Sequence, residues 1–292
     1  MPRPGAIEAP AKINLTLEVL ARREDGYHGI RSVMLPIGLH DVIRWQPANR
    51  FAFSCDDTAP RDGSNLVVRA FRALDIEPPI DVVLEKRIPV GGGLGGGSSD
   101  GAAVLRAAAA GAFGELGEKD FLAIACDLGS DVPFFLVETG ALVEGTGERV
   151  TALGALPPWW AVVVVPPLAV ETSGAFSALD AERGENYETR PRNTSPSLVA
   201  VEAVQRGDFA AVIAANMNDF EDIIAEREPL VAATLTALRA SGARLVRLSG
   251  SGASCFALAE SEDEAQAISK RVSPPTDSKV HVVPLQHAKS WR

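Results

Sequence analysis

Residues 88–103 read IPVGGGLGGGSSDGAA, six glycines in seven positions followed at once by two serines and an alanine-rich run of helical character. Each glycine adds to the conformational entropy lost on folding, roughly 0.5–1 kcal/mol relative to alanine in a regular element. Such a stretch is either a flexible linker or a loop whose backbone comes very close to something. Its flanks argue against a linker: IDVVLEKRI before it alternates as a strand does, and the run from Ser98 to about Phe113 has a helical pattern. A strand, then glycines, then a helix N-terminus presents free backbone N–H groups and the positive end of the helix dipole to an anion. Side chains would obstruct that approach, and Ser98 and Ser99 add a cap and hydroxyl donors at the first turn. A glycine turn that holds no ligand is the plain alternative.

Two phosphate-binding patterns fit this loop poorly. The P-loop needs Lys followed by Ser or Thr after its last glycine, and here Gly97 leads directly to Ser98. The dinucleotide fingerprint G-x-G-x-x-G is matched by Gly91, Gly93 and Gly96, but it also requires a second parallel strand after the helix, with an acidic residue at its end. The next segment of the chain is instead EKDFLAIACDLG, a second helix ended by Gly129.

The elements that must position the loop alternate along the chain without a fixed repeat. KINLTLEVL and DVIRWQPA read as half-buried strands, and a third apolar strand lies at 160–165. Residues 182–196 are polar and contain proline, a surface loop. Helices are expected near 197–206, 208–215 and 227–240, then strands ARLVRLSG and CFALA, a helix EDEAQAISKRV and a last strand VHVVPL. This second half reads as a compact α+β unit, and 292 residues suit two domains, with a boundary near 155: 1–155 and 156–292.

Composition excludes several classes. No run reaches the length of about 18 apolar residues that spans a bilayer, and WWAVVVVPPLAV is broken by prolines. A formal net charge of −10 speaks against a general nucleic-acid binder, although backbone dipoles can still hold a small anion. The N-terminus lacks a basic segment followed by an apolar core, so no secretory signal is expected. Cys55, Cys126 and Cys255 are odd in number and far apart, as suits reduced thiols in a cytoplasmic protein. Monomer and homodimer both remain open.

PVGGGLGGGSSDGA resembles the second motif of the GHMP kinases, the superfamily of galactokinase, homoserine kinase, mevalonate kinase and phosphomevalonate kinase. Within it, the chain resembles the kinases of 4-(cytidine 5′-diphospho)-2-C-methyl-D-erythritol. The likeness is spread over APAKINLTLEVLARREDGYHGIRSVM at 9–34, the glycine loop, LGSDVPFFL at 128–136, ALVEGTGE at 141–148 and LSGSGASCFAL at 248–258. It implies an α+β, two-domain GHMP kinase fold, with an N-terminal domain like domain 2 of ribosomal protein S5 and a ferredoxin-like C-terminal domain. It also implies ATP-dependent phosphorylation of the 2-hydroxyl of the cytidyl substrate, in the non-mevalonate route to isoprenoid precursors, without nucleic-acid or membrane partners.

Carried over residue by residue, the resemblance places Lys12 and Asp131 on either side of the accepting hydroxyl. Asp131 would take its proton, while Lys12 would keep Asp131 ionised and neutralise charge on the moving phosphoryl group. From the local sequence alone, Lys12 is a strand lysine and Asp131 a helix-capping aspartate. ATP would lie on Pro89, Gly91, Gly92, Gly93, Leu94, Gly95, Gly96, Gly97, Ser98 and Ser99. Mg2+ would be held mainly by the phosphates, with no committed protein ligand. Tyr27 and Phe176 would sandwich the cytosine, His28 would bond it through backbone or ring, and Asn14 would contact the substrate near the acceptor end. The adenine is expected near Asn65 to Val68 and Lys86. Many members carry Asn where this chain has Asp100, whose carboxylate is expected to point away from the phosphates. SGSGAS at 249–254 would support the phosphate region, or be a tight turn between strands. Another kinase of the same scaffold, of mevalonate or homoserine type, and a non-catalytic sensor are the alternatives; GYH disfavours the first, and the presence of both Lys12 and Asp131 disfavours the second.

Overall fold

The polar–apolar alternation of KINLTLEVL extends well beyond those nine residues. Strand β1 runs from Gly5 to Arg22 and β2 from His28 to Pro47, paired antiparallel along most of their lengths. The computed structural model describes residues 3–56, 59–76, 79–184 and 192–286. Odd-numbered residues of β1 feed one core after another: Ile7 and Ala9 the first, Ala11, Ile13 and Leu15 the second, Leu17 and Val19 the third. The even-numbered Lys12 and Asn14 face the opposite side, into a cavity. Register shifts at Pro10/Ala11 and Asn14/Thr16 interrupt the ladder beside these two residues, as bulges next to sites do.

The first half continues with β3 (Ala52–Cys55), α1 (Leu66–Ala73), β4 (Ile80–Glu85), α2 (Gly96–Ala109), α3 (Phe121–Leu128), β5 (Ala141–Gly145) and β6 (Arg149–Ala152). Its sheet runs β3-β4-β2-β1, with β5 on the far part of β2 and β6 on β5. Helices α1 to α3 cover one face through Val67, Phe71, Ala103, Val104 and Ala125.

The second half holds β7 (Trp160–Val165), α4 (Thr172–Arg183), α5 (Pro196–Arg206), α6 (Phe209–Ala215), β8 (Met217–Asn218), α7 (Glu221–Arg227), α8 (Pro229–Ala240), β9 (Leu245–Leu248), β10 (Cys255–Ala259), α9 (Glu262–Arg271) and β11 (Lys279–Pro284). Its antiparallel sheet is ordered β11-β7-β10-β9, the ferredoxin-like arrangement. Ala161, Val163 and Val165 of β7 and Phe256 of β10 pack on Ala11, Ile13 and Leu15 of β1, and β8 adds a parallel edge to β1. The residue-155 division falls between β6 and β7, and β8 crosses it.

Several elements were not expected from the sequence, among them β3, α1 and β8. The first half of β2 and the β5–β6 hairpin belong to the sheet, although Pro36 and Gly38 interrupt any strand pattern there. Helix α7 occupies a stretch to which the sequence pattern assigns no element, being only 7 residues long with too few turns to show a period. The polar loop expected at 182–196 lies outside the described residues over 185–191; α4 reaches Arg183 on one side and α5 starts at Pro196 on the other. No helix among the described residues is long and apolar enough to cross a membrane. All three cysteines are free, Cys126 exposed and the other two buried.

Candidate active site

A cavity of about 590 Å³ opens between the two halves, lined by β1, the glycine loop, α4 and the turns holding Asp131 and Gly250. The catalytic, phosphate-binding and substrate-binding residues expected from sequence all line it except Ser99, and of the expected adenine segment only Lys86 does. Ser99 is fully buried on the inner side of α2.

The glycine loop enters α2 earlier than the sequence indicates. The helix starts at Gly96, and its N-cap is Gly95 at φ 72°, with no side-chain cap bond. Ser98 and Ser99 are therefore inside the first turn, and neither caps it. The first intrahelical bond runs from Ser99 N–H to the Gly95 carbonyl, which leaves the N–H groups before it without that kind of partner, at the cavity's edge.

Most of the glycines answer to the protein's own packing. A Cβ on Gly93 would run into the Ser249 and Gly252 carbonyls. On Gly92 it would lie 2.8 Å from Ser254 Oγ, and on Gly96 2.9 Å from the Ile88 side chain. Gly97 differs: its nearest neighbour would be Leu66 Cδ1 at 3.9 Å. The loop is tied down by three bonds in which its carbonyls accept: Lys12 N–H to Leu94 O (2.9 Å), Ser254 N–H to Gly92 O (3.1 Å) and Ser249 Oγ–H to Gly93 O (3.1 Å). The SGSGAS segment thus buttresses the glycine loop and brings Gly250 into the cavity wall.

Lys12 is the centre of the polar wall. Its side chain is only 4% exposed; Nζ donates to Asn14 Oδ1 at 2.6 Å and stands 3.5 Å from Asp131 Oδ2. Asp131 belongs to the turn after α3, and its carboxylate is about one-third exposed to the cavity (32%). It caps nothing: the short 3-10 helix Pro133–Leu136 has Val132 as N-cap and no side-chain cap bond. Behind this turn, Gly147 at φ 126° lies so close to the Ser130 carbonyl that no Cβ fits. That contact gives ALVEGTGE its place in the site, since the β5–β6 turn backs the Asp131 turn.

Beneath the start of α2 lies a buried charge cluster. Lys86 Nζ donates to Asp41 Oδ2 and, at 2.8 Å, to Asp100 Oδ2; all three side chains are at most 4% exposed. Asp41 Oδ1 also accepts the Arg87 and Ile88 N–H groups, whereas Asp100 Oδ1 has no hydrogen-bond partner among the described residues. Burial pushes the Asp100 carboxyl up to about 8; Lys86 opposes this and Asp41 adds to it. For Lys86, burial works against the charge, but Asp100 and Asp41 outweigh it and raise its pKa. Asp100 thus turns to Lys86 and away from the cavity, as expected. Of the residues expected near the adenine, Lys86 lines the cavity, whereas Asn65 caps α1, accepting from Val67 N–H and donating to Pro60 O.

At the far end, one face of α4 supplies Thr172, Ser173, Phe176, Ser177 and Asp180, the i, i+4, i+8 stripe of a helix. Phe176 lies flat against His28, 5.6 Å between ring centroids and 13° between planes, with its other contact edge-on to Phe220. His28 Nδ1 is 3.0 Å from the Leu20 carbonyl and Nε2 is within ion-pair distance of Asp180, 2.9 Å. Nδ1 is thus engaged within the chain, whereas Nε2, although close to Asp180, makes no hydrogen bond among the described residues. Tyr27 is 69% exposed on the same wall. Asp180 and Ser251, the latter 3.0 Å from Thr172 Oγ1, were not singled out from sequence. The four-residue spacing of Thr172, Phe176 and Asp180 was the available signal for Asp180, and the SGSGAS segment that for Ser251.

A cradle of glycines at a helix N-terminus, beside a lysine–aspartate pair in the wall of one cavity, defines a small-molecule kinase of the GHMP type. Residues 65–139 match the GHMP kinases N terminal domain and residues 200–274 the GHMP kinases C terminal domain. The chain is 36% identical to the 4-diphosphocytidyl-2-C-methyl-D-erythritol kinase of Geobacter metallireducens over 278 residues, 93% of this chain and 95% of that protein. It is 40% identical to the enzyme of that name from Deinococcus radiodurans over 270 residues, 89% and 85% of the two chains. A crystal structure of 4-(cytidine 5′-diphospho)-2C-methyl-D-erythritol kinase superposes with a TM-score of 0.74 at 35% identity, covering 96% of this chain and 99% of that one. Homoserine kinase from Cytophaga hutchinsonii, at 20% identity and a TM-score of 0.69 over 99% and 98% of the chains, shares the fold. The chain belongs to the 4-diphosphocytidyl-2-C-methyl-D-erythritol kinase family.

Proposed function

We propose that this protein transfers the γ-phosphoryl group of ATP to the 2-hydroxyl of 4-(cytidine 5′-diphospho)-2-C-methyl-D-erythritol, a step towards isoprenoid precursors by the non-mevalonate route. The observation that carries the mechanism is the Lys12–Asp131 pair at 3.5 Å, in the wall of the cavity that also holds the uncapped start of α2. Phosphoryl transfer has a loose transition state, so positioning and charge stabilisation do most of the work. Asp131, open to the cavity, takes the proton of the accepting hydroxyl. Lys12 has three N–H donors: one is given to Asn14, one faces Asp131, and the third is left for an oxygen of the moving group.

The glycine loop suits the polyphosphate of ATP. Its carbonyls turn into protein, the first N–H groups of α2 carry no side-chain cap, and the Cβ direction of Gly97 is open. Among the described residues no three His, Cys, Asp or Glu side chains converge on one point. Mg2+ brought by the nucleotide needs no such cage, because phosphate oxygens and water supply most of its ligands. The bound ion would neutralise phosphate charge. Tyr27, His28 and Phe176 form the cytosine end: Tyr27 offers an uncommitted aromatic face, and His28 bonds the base through backbone or ring. We place the division between the two domains near residue 155 and the protein in the cytoplasm, where three free thiols stay reduced.

ADP release measured with the cytidyl substrate, mevalonate and homoserine in parallel tests this reading. Turnover of the cytidyl compound alone supports it. Turnover of either other acceptor at equal efficiency refutes it.

A further inference from the structure

Behind Asn14 lies a residue that neither the sequence nor the reaction singles out. Ser32, on β2 and fully buried, has its Oγ 2.8 Å from Asn14 Nδ2 and 2.6 Å from the Thr16 carbonyl oxygen. A hydroxyl has one proton, and a carbonyl can only accept. The Ser32 proton is therefore spent on Thr16, and towards Asn14 the Ser32 oxygen can only accept. That requires Asn14 to present its NH2 group to Ser32 and, since the two ends of a carboxamide point apart, its oxygen to Lys12, as found at 2.6 Å.

We infer that Ser32 is a positioning residue for phosphoryl transfer: through Thr16 it sets the orientation of the Asn14 carboxamide, and through Asn14 it aims the Lys12 ammonium. With the amide reversed, NH2 would face an ammonium, and Lys12 would lose its short acceptor. Lys12 is 4% exposed, so no water shell makes good that loss. The surroundings reinforce the direction. Thr16 Oγ1 accepts from Val33 N–H and donates to Ser197 Oγ, which donates onward to the Arg31 carbonyl. These bonds lie beside the register shift between Asn14 and Thr16, so the strand is pinned where its ladder is interrupted.

The kinetic part of this inference rests on the proposed reaction; the orientation itself does not. The first test therefore uses the free wild-type protein. In its NMR spectrum the Asn14 Nδ2 protons should exchange with solvent much more slowly than those of a solvated carboxamide, and Ser32→Ala should abolish that protection. Fast exchange in the wild type overturns the inference, whatever the variant does.

The second test is a double-mutant cycle in the ADP-release assay. Ser32→Ala should lower kcat about 10- to 30-fold, as expected for loosening a hydrogen bond to a charged group, with KM for both substrates within about threefold. Asn14→Ala should lower it at least as far, and the double variant should be no worse than Asn14→Ala alone. Independent, multiplicative losses would show that Ser32 does not act through Asn14 and would overturn the inference. A wild-type enzyme that does not turn over the cytidyl substrate would defeat the proposed reaction and leave the exchange measurement to decide the orientation.

Discussion

A side chain on Gly95 would meet the Phe135 ring, its Cβ 2.9 Å from Phe135 Cζ, and would press on Lys12 Cε at 3.2 Å. Gly95 also sits at φ 72°, where side chains are disfavoured. The glycine therefore serves the seating of Lys12 as much as any approach by phosphate. Gly95 and Gly97 make different demands, and substitution at each separates them.

Gly97→Val is expected to leave the fold intact, since its Cβ would meet nothing nearer than Leu66 Cδ1 at 3.9 Å. Its bulk would stand where phosphate must come. Calorimetry with a non-hydrolysable ATP analogue should show a loss of affinity of about tenfold or more, with Tm changed by about 2 °C or less. Gly95→Val should lower Tm clearly as well as affinity. Unchanged affinity in a folded Gly97→Val protein would remove the phosphate cradle from the mechanism.

Asp131→Asn keeps the shape of the side chain and removes the base. Its kcat is expected to fall by about 10²–10⁴ with little change in substrate affinity, and Lys12→Met should be similarly severe. Because the two groups act on one hydroxyl, the double variant should be far less than multiplicative. Near-full turnover by Asp131→Asn would rule out proton removal by this carboxylate.

The Asp41–Lys86–Asp100 cluster carries a pH signature. The Asp100 carboxyl is pushed from its ordinary 3.8 to about 8 by burial, so between these values the native state holds a proton that the unfolded chain has released. Stability then falls as pH rises from about 4 to about 8, and this group costs nothing further above that. Asp100→Asn removes the dependence: Lys86 keeps an acceptor, and no second carboxylate is buried beside Asp41. Thermal melts of the two proteins should differ least near pH 4 and increasingly above it, with the variant higher by about 5 °C or more at pH 9. Parallel Tm curves across that range would show that burial does not make Asp100 bind a proton.

The glycine loop was legible because its composition is unusual and its neighbours are a strand and a helix. The residues it serves were less so. Asp131 follows Gly129–Ser130 and precedes Pro133, a local pattern that suits a helix cap, and only the fold brings it to Lys12. Nor does local sequence show that Gly93 is a glycine on account of Ser249 and Gly252, because that contact joins the two halves of the chain. Asp41 reads as an ordinary polar residue in an alternating strand; its complete burial depends on Lys86 and two backbone N–H groups across the fold. Ser98 and Ser99 misled in the other direction, since a good capping residue is passed over when a left-handed glycine has already started the helix.

The cytosine end offers the most specific test. Phe176 already stacks on His28 and meets Phe220 edge-on, so it holds this wall together whether or not a base is bound. Tyr27 is 69% exposed, and its removal should disturb little besides the substrate. A stacked base is worth about 1–3 kcal/mol in single-strand recognition, and binding through a remote base can hold the reacting hydroxyl between Lys12 and Asp131. Tyr27→Ala is therefore expected to lower kcat/KM for the cytidyl substrate by roughly one to two powers of ten, with Tm and ATP affinity unchanged. Phe176→Ala should lower kcat/KM and Tm together, because His28 loses its stacking partner. The distinction rests on measuring both quantities in both variants. A Tyr27→Ala enzyme that handles the cytidyl substrate at wild-type efficiency would show that the exposed ring takes no part in binding the base, and would leave the cytosine to the His28–Phe176 wall alone.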